Sequence, residues 1–228
     1  MTMPDIWTGR EPETDSPYYP YRKVIDGNTM AGAEQLPYML TRYIMDLPLA
    51  GYTPPSGNAY PRARLKKLLY WDGALPLEQP LPTTEQMQSI RFDPYRPGTE
   101  PDPARGYRIF SQELVAQAQA VPQSIIRVYN GGLTRFQLRN EFVWRQQVIW
   151  TVMVHYDLES NMQTTAASRS YLIAQAIIEA TEGVNIGGVG SITTRQMTKF
   201  DDERTNTGYK IYQDVDWHGE APNPFFAP

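Results

Sequence analysis

The run Val148-Ile-Trp-Thr-Val-Met-Val-His-Tyr156 constrains the fold most, because Val148, Trp150, Val152, Val154 and Tyr156 share one side of an extended chain. A period of two marks a strand with one buried face. After a polar connection, Asp157 to Gln163, the period changes. At about 100° per residue, Ile173, Ala174, Ile177, Ile178 and Ala180 fall on one arc, opposite Ser168, Gln175, Glu179 and Glu182. This predicts a helix near 164–182, stopped by Gly183, which suits the left-handed conformation common at helix ends. Two extended runs follow, Gly190 to Phe200 and Gly208 to Trp217, giving a strand–helix–strand–strand module.

Proline divides the chain. Sixteen of the 20 prolines fall in the first 103 residues, and ten of the 15 tyrosines precede residue 110. Proline fixes φ and withholds a donor, so this part cannot be a continuous sheet. Its aromatic content argues against a disordered tail, and the expectation is an arm that orders by lying on its own core or on a neighbouring subunit. Two short helices interrupt it: Ala33 to Leu47, with Pro37 near its first turn, and Pro61 to Asp72. From Arg105 strand patterns take over, with Tyr107–Phe110 and Ser124–Tyr129 as candidates. Asn130-Gly131-Gly132 reads as a hairpin turn leading to Leu133–Leu138. The expected organisation is an arm over 1–104, a core over 105–219 and a tail over 220–228. The expected class is α+β, a small, mostly antiparallel sheet with one packed helix.

Composition excludes some functions. With 21 basic and 25 acidic residues there is no overall basic footprint for nucleic acid. The absence of cysteine removes disulfides and thiolate chemistry. The N-terminus lacks signal-peptide character, and no apolar run suits a bilayer, so a soluble cytosolic chain with no membrane partner is expected.

Candidates for chemistry are few. Arg62, Arg64, Lys66 and Lys67 could touch phosphates, or could be the solvated face of a short helix or a salt-bridged subunit contact. Asp214, Asp216 and His218 alternate on the last strand and could hold a metal with His155, or form a polar face. Gly187-Gly188-Val189-Gly190 follows a helix and lacks the phosphate-loop pattern. Asp201-Asp202-Glu203 reads as a solvated loop tip. No catalytic motif supports an enzyme, and no metal or cofactor is expected.

From Phe142 to Gly219 the order of features resembles the tail-terminator proteins of long-tailed bacteriophages. The resemblance rests on Gln147-Val-Ile-Trp-Thr-Val-Met-Val-His-Tyr156, Arg169-Ser-Tyr-Leu-Ile-Ala-Gln-Ala-Ile-Ile-Glu179 and Gly208-Tyr-Lys-Ile-Tyr-Gln-Asp-Val-Asp-Trp217. It implies a homohexameric ring in the virion that caps the tail tube and joins it to the neck, without catalysis or cofactor. Its partners would be other copies of itself, tube, sheath or neck proteins, and DNA passing through the lumen unbound. Tyr18, Tyr19, Tyr21, Leu172, Phe225 and Phe226 are then candidate assembly contacts, and Asp214 and Asp216 candidate lumen residues. The Pro- and Tyr-rich first hundred residues have no counterpart in compact members. Another neck, collar or baseplate protein is the alternative, and a ligand-binding protein or enzyme a second one.

Overall fold

The computed structural model describes residues 30–47, 59–94, 102–113, 122–138, 141–159, 167–184, 191–202 and 205–217. In chain order these form α1 (Met30–Ile44), α2 (Ala59–Tyr70), α3 (Thr84–Ser89), β1 (Ile109–Phe110), β2 (Ser124–Leu138) and β3 (Glu141–His155). They continue with α4 (Tyr156–Glu159), α5 (Arg169–Thr181), β4 (Ile192–Asp202) and β5 (Asn206–Trp217). The strands make one five-stranded sheet in the order β1-β2-β3-β5-β4. Only the β1–β2 pair is parallel; the others are antiparallel. The α+β class and the mostly antiparallel sheet are as expected.

The period-two pattern does what it predicts over four of its five positions. Val148, Trp150, Val152 and Val154 are all fully buried on one face of β3. Tyr156 leaves the pattern by starting α4. Across the ladder Ile126 and Val128 of β2, and Ile211 and Val215 of β5, join the same face. Helix α5 packs its Ile173, Ala174 and Ile177 there, while Ile178 is only partly buried. Ser168 caps its first turn, its hydroxyl accepting from the Tyr171 amide, and Gly183 ends it at φ +72°.

The core reaches further towards the N-terminus than the proline bias suggests. Leu36, Leu40, Tyr43 and Ile44 of α1 and Leu68 and Leu69 of α2 are fully buried in the cluster that holds Trp150 and Ile177. These helices therefore pack into the folded body, and residues 1–29, 48–58 and 95–101 of the expected arm lie outside the described residues. Pro37 sits in the interior of α1 and not in its first turn. Every residue from Leu36 to Met45 is buried, and that packing supplies the stability that a proline removes.

The expected hairpin turn at Asn130-Gly131-Gly132 is absent. Strand β2 runs straight through it, and the reversal comes later, with Leu138 opposite Glu141. The pairing register shifts between Asn130 and Gly132 instead, and Gly132 has φ +149°. An extra residue in one strand needs the same conformational freedom as a tight turn, so the glycines serve a β-bulge. The reading of Asp201-Asp202 as a loop tip also yields, since both residues end β4.

Candidate assembly surface

The dense basic cluster on α2 is committed within the chain. Arg62 donates through Nε to Asp46 at 2.5 Å, and Lys66 pairs with the other Asp46 oxygen. Arg62 also donates to the Tyr43 hydroxyl at 3.1 Å, which itself donates to the Ala180 carbonyl at 2.8 Å. Arg64 pairs with Glu179 at 2.8 Å, and Lys67 donates to the Leu77 carbonyl at 2.9 Å. The cluster ties α1, α2 and α5 together within one chain, where the sequence suggests phosphate contact, a solvated face or a contact between subunits.

A second set of cations closes the end of α2. Helix C-terminal carbonyls lack intrahelical partners and carry partial negative charge. Arg108 donates to the Leu69 and Tyr70 carbonyls at 2.8 and 3.2 Å, and holds Asp72 through both terminal nitrogens. Arg169, at 0% exposure, donates to the Trp71 and Gly73 carbonyls at 2.9 and 2.8 Å. Burial holds the Arg169 guanidinium below its ordinary pKa, against the opposing pull of Asp72. The chemistry here is structural, and the sequence hides it because its two arginines lie outside α2.

Asp214 and Asp216 do share one side of β5, as their alternation requires, and it is the side turned away from α5. Neither presents free charge. Asp216 takes a two-pronged contact from Arg145 on β3, at 2.6 and 2.7 Å. Asp214, 7% exposed, pairs with Arg195 of β4 and lies 3.4 Å from Arg145. The hydrogen bond to Asp216 raises the Arg145 pKa further. The two carboxylates, the candidate lumen residues, are thus matched by two guanidiniums from neighbouring strands in a neutral ion-pair network. His155 cannot join them: it lies eight positions along β3 from Gln147, the partner of Asp214, roughly 26 Å at ~3.3 Å per residue. His218 lies outside the described residues, as does the glycine run at 187–190.

Of the expected assembly contacts, Leu172 lies in the core cluster at 9% exposure and leaves little surface for another subunit. Tyr18, Tyr19, Tyr21, Phe225 and Phe226 fall outside the described residues.

The sequence did not reveal two strand edges that are open among the described residues. The start of β4 is held by the end of α5, where Gly183 donates to Ile192, Ile192 to Val184, and the Thr194 amide to the Glu182 carboxylate. From Arg195 to Asp202, β5 is its only strand partner among the described residues. On the opposite side of the sheet β1 covers β2 only at Ile126 and Arg127. The stretch Gly131–Leu138 pairs with β3 alone among the described residues. Gly131, Gly132 and Thr134 are exposed there, as are Arg195, Gln196, Lys199 and Asp201 on β4. The only available signal was the length of the run from Ser124 to His155, which the glycine pair masked.

Among the described residues no helix is long and apolar enough to cross a membrane. No curated protein matches the chain. A family model described as YomW matches residues 63–215, about two thirds of the chain, from α2 almost to the end of β5.

Proposed function

The chain belongs to the YomW family, which is phage-associated, and we propose that it is a structural protein of the virion, a tail-terminator ring. In this reading copies of the chain close into a homohexamer at the head-proximal end of the tail tube. The ring stops tube growth and offers a surface to the neck. The observation that carries the reading is the phage-associated family match over a body whose described residues leave two strand edges open. An exposed edge is normally a hazard, and an assembling ring can use it. Its lumen would carry the Asp214 and Asp216 network, whose charges are matched by Arg145 and Arg195, so that these carboxylates neither attract nor repel passing DNA strongly. No catalysis, cofactor or membrane enters the scheme.

The test is to locate the protein in purified particles by electron microscopy with an antibody label, and to inspect lysates lacking it. A label between tail tube and neck, with over-long or unjoined tails in its absence, is the expected result. Tails of normal length joined to heads without it would overturn the assignment. The two N-terminal helices packed into the core favour a second reading, another neck, collar or baseplate protein, because compact tail terminators lack that region. A label at the collar or the distal end would select that reading.

A further inference from the structure

We infer that the two open strand edges are the two halves of one interface, joining β4 of one copy to β2 of the next in a continuous antiparallel sheet. This rests on the self-assembly part of the reading above and does not need the tail-terminator assignment.

Direction is the first support. Strands β2 and β5 run against β3, and β4 runs against β5, so β4 and β2 are antiparallel within one chain. Copies placed side by side in the same orientation therefore bring β4 of one against β2 of the next in the antiparallel sense. This head-to-tail relation is the kind that closes into rings. The open stretches, Arg195–Asp202 and Gly131–Leu138, are each eight residues long.

Register is the second support. Side chains of paired residues must share a face. Thr134, opposite Arg145, faces away from α5; so does Thr198, opposite Lys210, which shares that side of β5 with Asp214. Setting Thr198 against Thr134 satisfies the faces. It also places Lys199 opposite Leu133, Phe200 opposite Gly132 and Asp201 opposite Gly131, so no like charges meet at these positions. The Phe200 ring then has a glycine to lie over.

Closure is the third. Within one chain Thr198 is level, through Lys210 and Thr151, with Arg127. Pairing it with Thr134 shifts successive copies by six residues once the bulge is discounted, about 20 Å along the strands. Four strands, β2, β3, β5 and β4, span about 19 Å at ~4.8 Å each. A ring without rise then needs strands inclined by about 45°, within the tilt that closed barrels adopt.

The chain has no cysteine, so introduced thiols report cleanly. The full chain carrying both Thr134→Cys and Thr198→Cys is oxidised mildly and run on denaturing gels. The expected result is a ladder of covalent oligomers ending at the ring's copy number. Mixing the two single variants should give dimers only, and neither alone should cross-link. Dimers of Thr198→Cys alone would mean symmetric β4–β4 pairing and overturn the inference. Oligomers by sedimentation without any cross-link would overturn it too, while leaving self-assembly intact. A chain monomeric at all concentrations would overturn both. Because cysteine variants can misfold, hydrogen exchange on the unaltered chain gives a second reading. Dilution of the oligomer should lose amide protection in Arg195–Asp202 and Gly131–Leu138 together, and loss in neither segment or in one alone would sink the pairing.

Discussion

Buried charge is the recurring device at the scale of single residues. Tyr38 shows it in a form that titrates: its hydroxyl donates to both oxygens of Asp93, at 3.0 and 3.1 Å, and the Arg91 guanidinium lies 4.3 Å from its ring centre. Burial, first, and the Asp93 charge push the phenol well above its ordinary value, against the opposing pull of Arg91. A folded pKa above the unfolded one contributes stability that is fully present below about pH 10 and is lost as pH rises further, because the unfolded chain gives up the proton first. The unaltered chain should therefore lose stability more steeply above about pH 10 than Tyr38→Phe does, in denaturant titrations at matched pH. Parallel declines would show that other groups control the alkaline limb. The sequence placed Tyr38 within the helix expected from Ala33 to Leu47. Its partners were not legible there, since Asp93 lies 55 residues away.

Gly208 sets a different limit at the same scale. It is buried in β5, and a Cβ there would run far inside contact distance of the Val152 carbonyl oxygen and reach the Phe200 ring at 3.0 Å. A backbone oxygen cannot swing aside as a side chain can. Gly208→Ala should cost on the order of 1 to 3 kcal/mol, the usual range for overpacking, read as a lower denaturant midpoint at unchanged slope. A midpoint equal to that of the unaltered chain would mean that β5 shifts freely against β3.

Periodicity served well at the scale of elements wherever one face is buried, and poorly wherever backbone geometry decides. Helix α5 was readable from Ile173, Ala174 and Ile177 because burial forces their spacing. Ile177, fully buried between α5 and the sheet, should lose about 2 to 5 kcal/mol on truncation to Ala. Partly buried Ile178 should lose clearly less, and equal losses at the two positions in thermal or denaturant melts would contradict the packing. The Asn130-Gly131-Gly132 run misled because turn and bulge ask the same of glycine. What separates them is the pairing of Ser124 with Val154 and Leu138 with Glu141, which no local window contains. The candidate surface was half legible for the same reason. Alternation placed Asp214 and Asp216 together, but Arg145 and Arg195 come from other strands and turn that acidic face into a neutral one.

The boundary of the folded body decides the molecule's overall organisation. Proline and tyrosine enrichment draws a line near residue 104, whereas burial already places Leu36 in the core. Leu36, Leu40, Tyr43, Ile44, Leu65, Leu68 and Leu69 sit in the same cluster as Trp150 and Ile177, none more than 1% exposed. Residues 63–104 also lie within the family match. A chain lacking 1–104 would expose the sheet face that α1 and α2 cover, and each large apolar side chain lost contributes roughly 1.5 to 3 kcal/mol. Seven such residues come to roughly 10 to 20 kcal/mol, comparable to or above the whole stability of an ordinary domain, about 5 to 15 kcal/mol. Two truncations therefore separate the boundaries. Removal of 1–29 should leave a cooperative unfolding transition and a circular-dichroism spectrum close to that of the full chain. Removal of 1–104 should give an insoluble or uncooperatively melting product. If the segment 1–29 orders against a neighbouring copy, the shorter truncation should also weaken self-association in sedimentation while the fold stays intact. Loss of the fold with 1–29 would place that segment in the core. A folded, soluble 105–228 would show instead that α1 and α2 are an appendage and that the sheet with α5 stands alone.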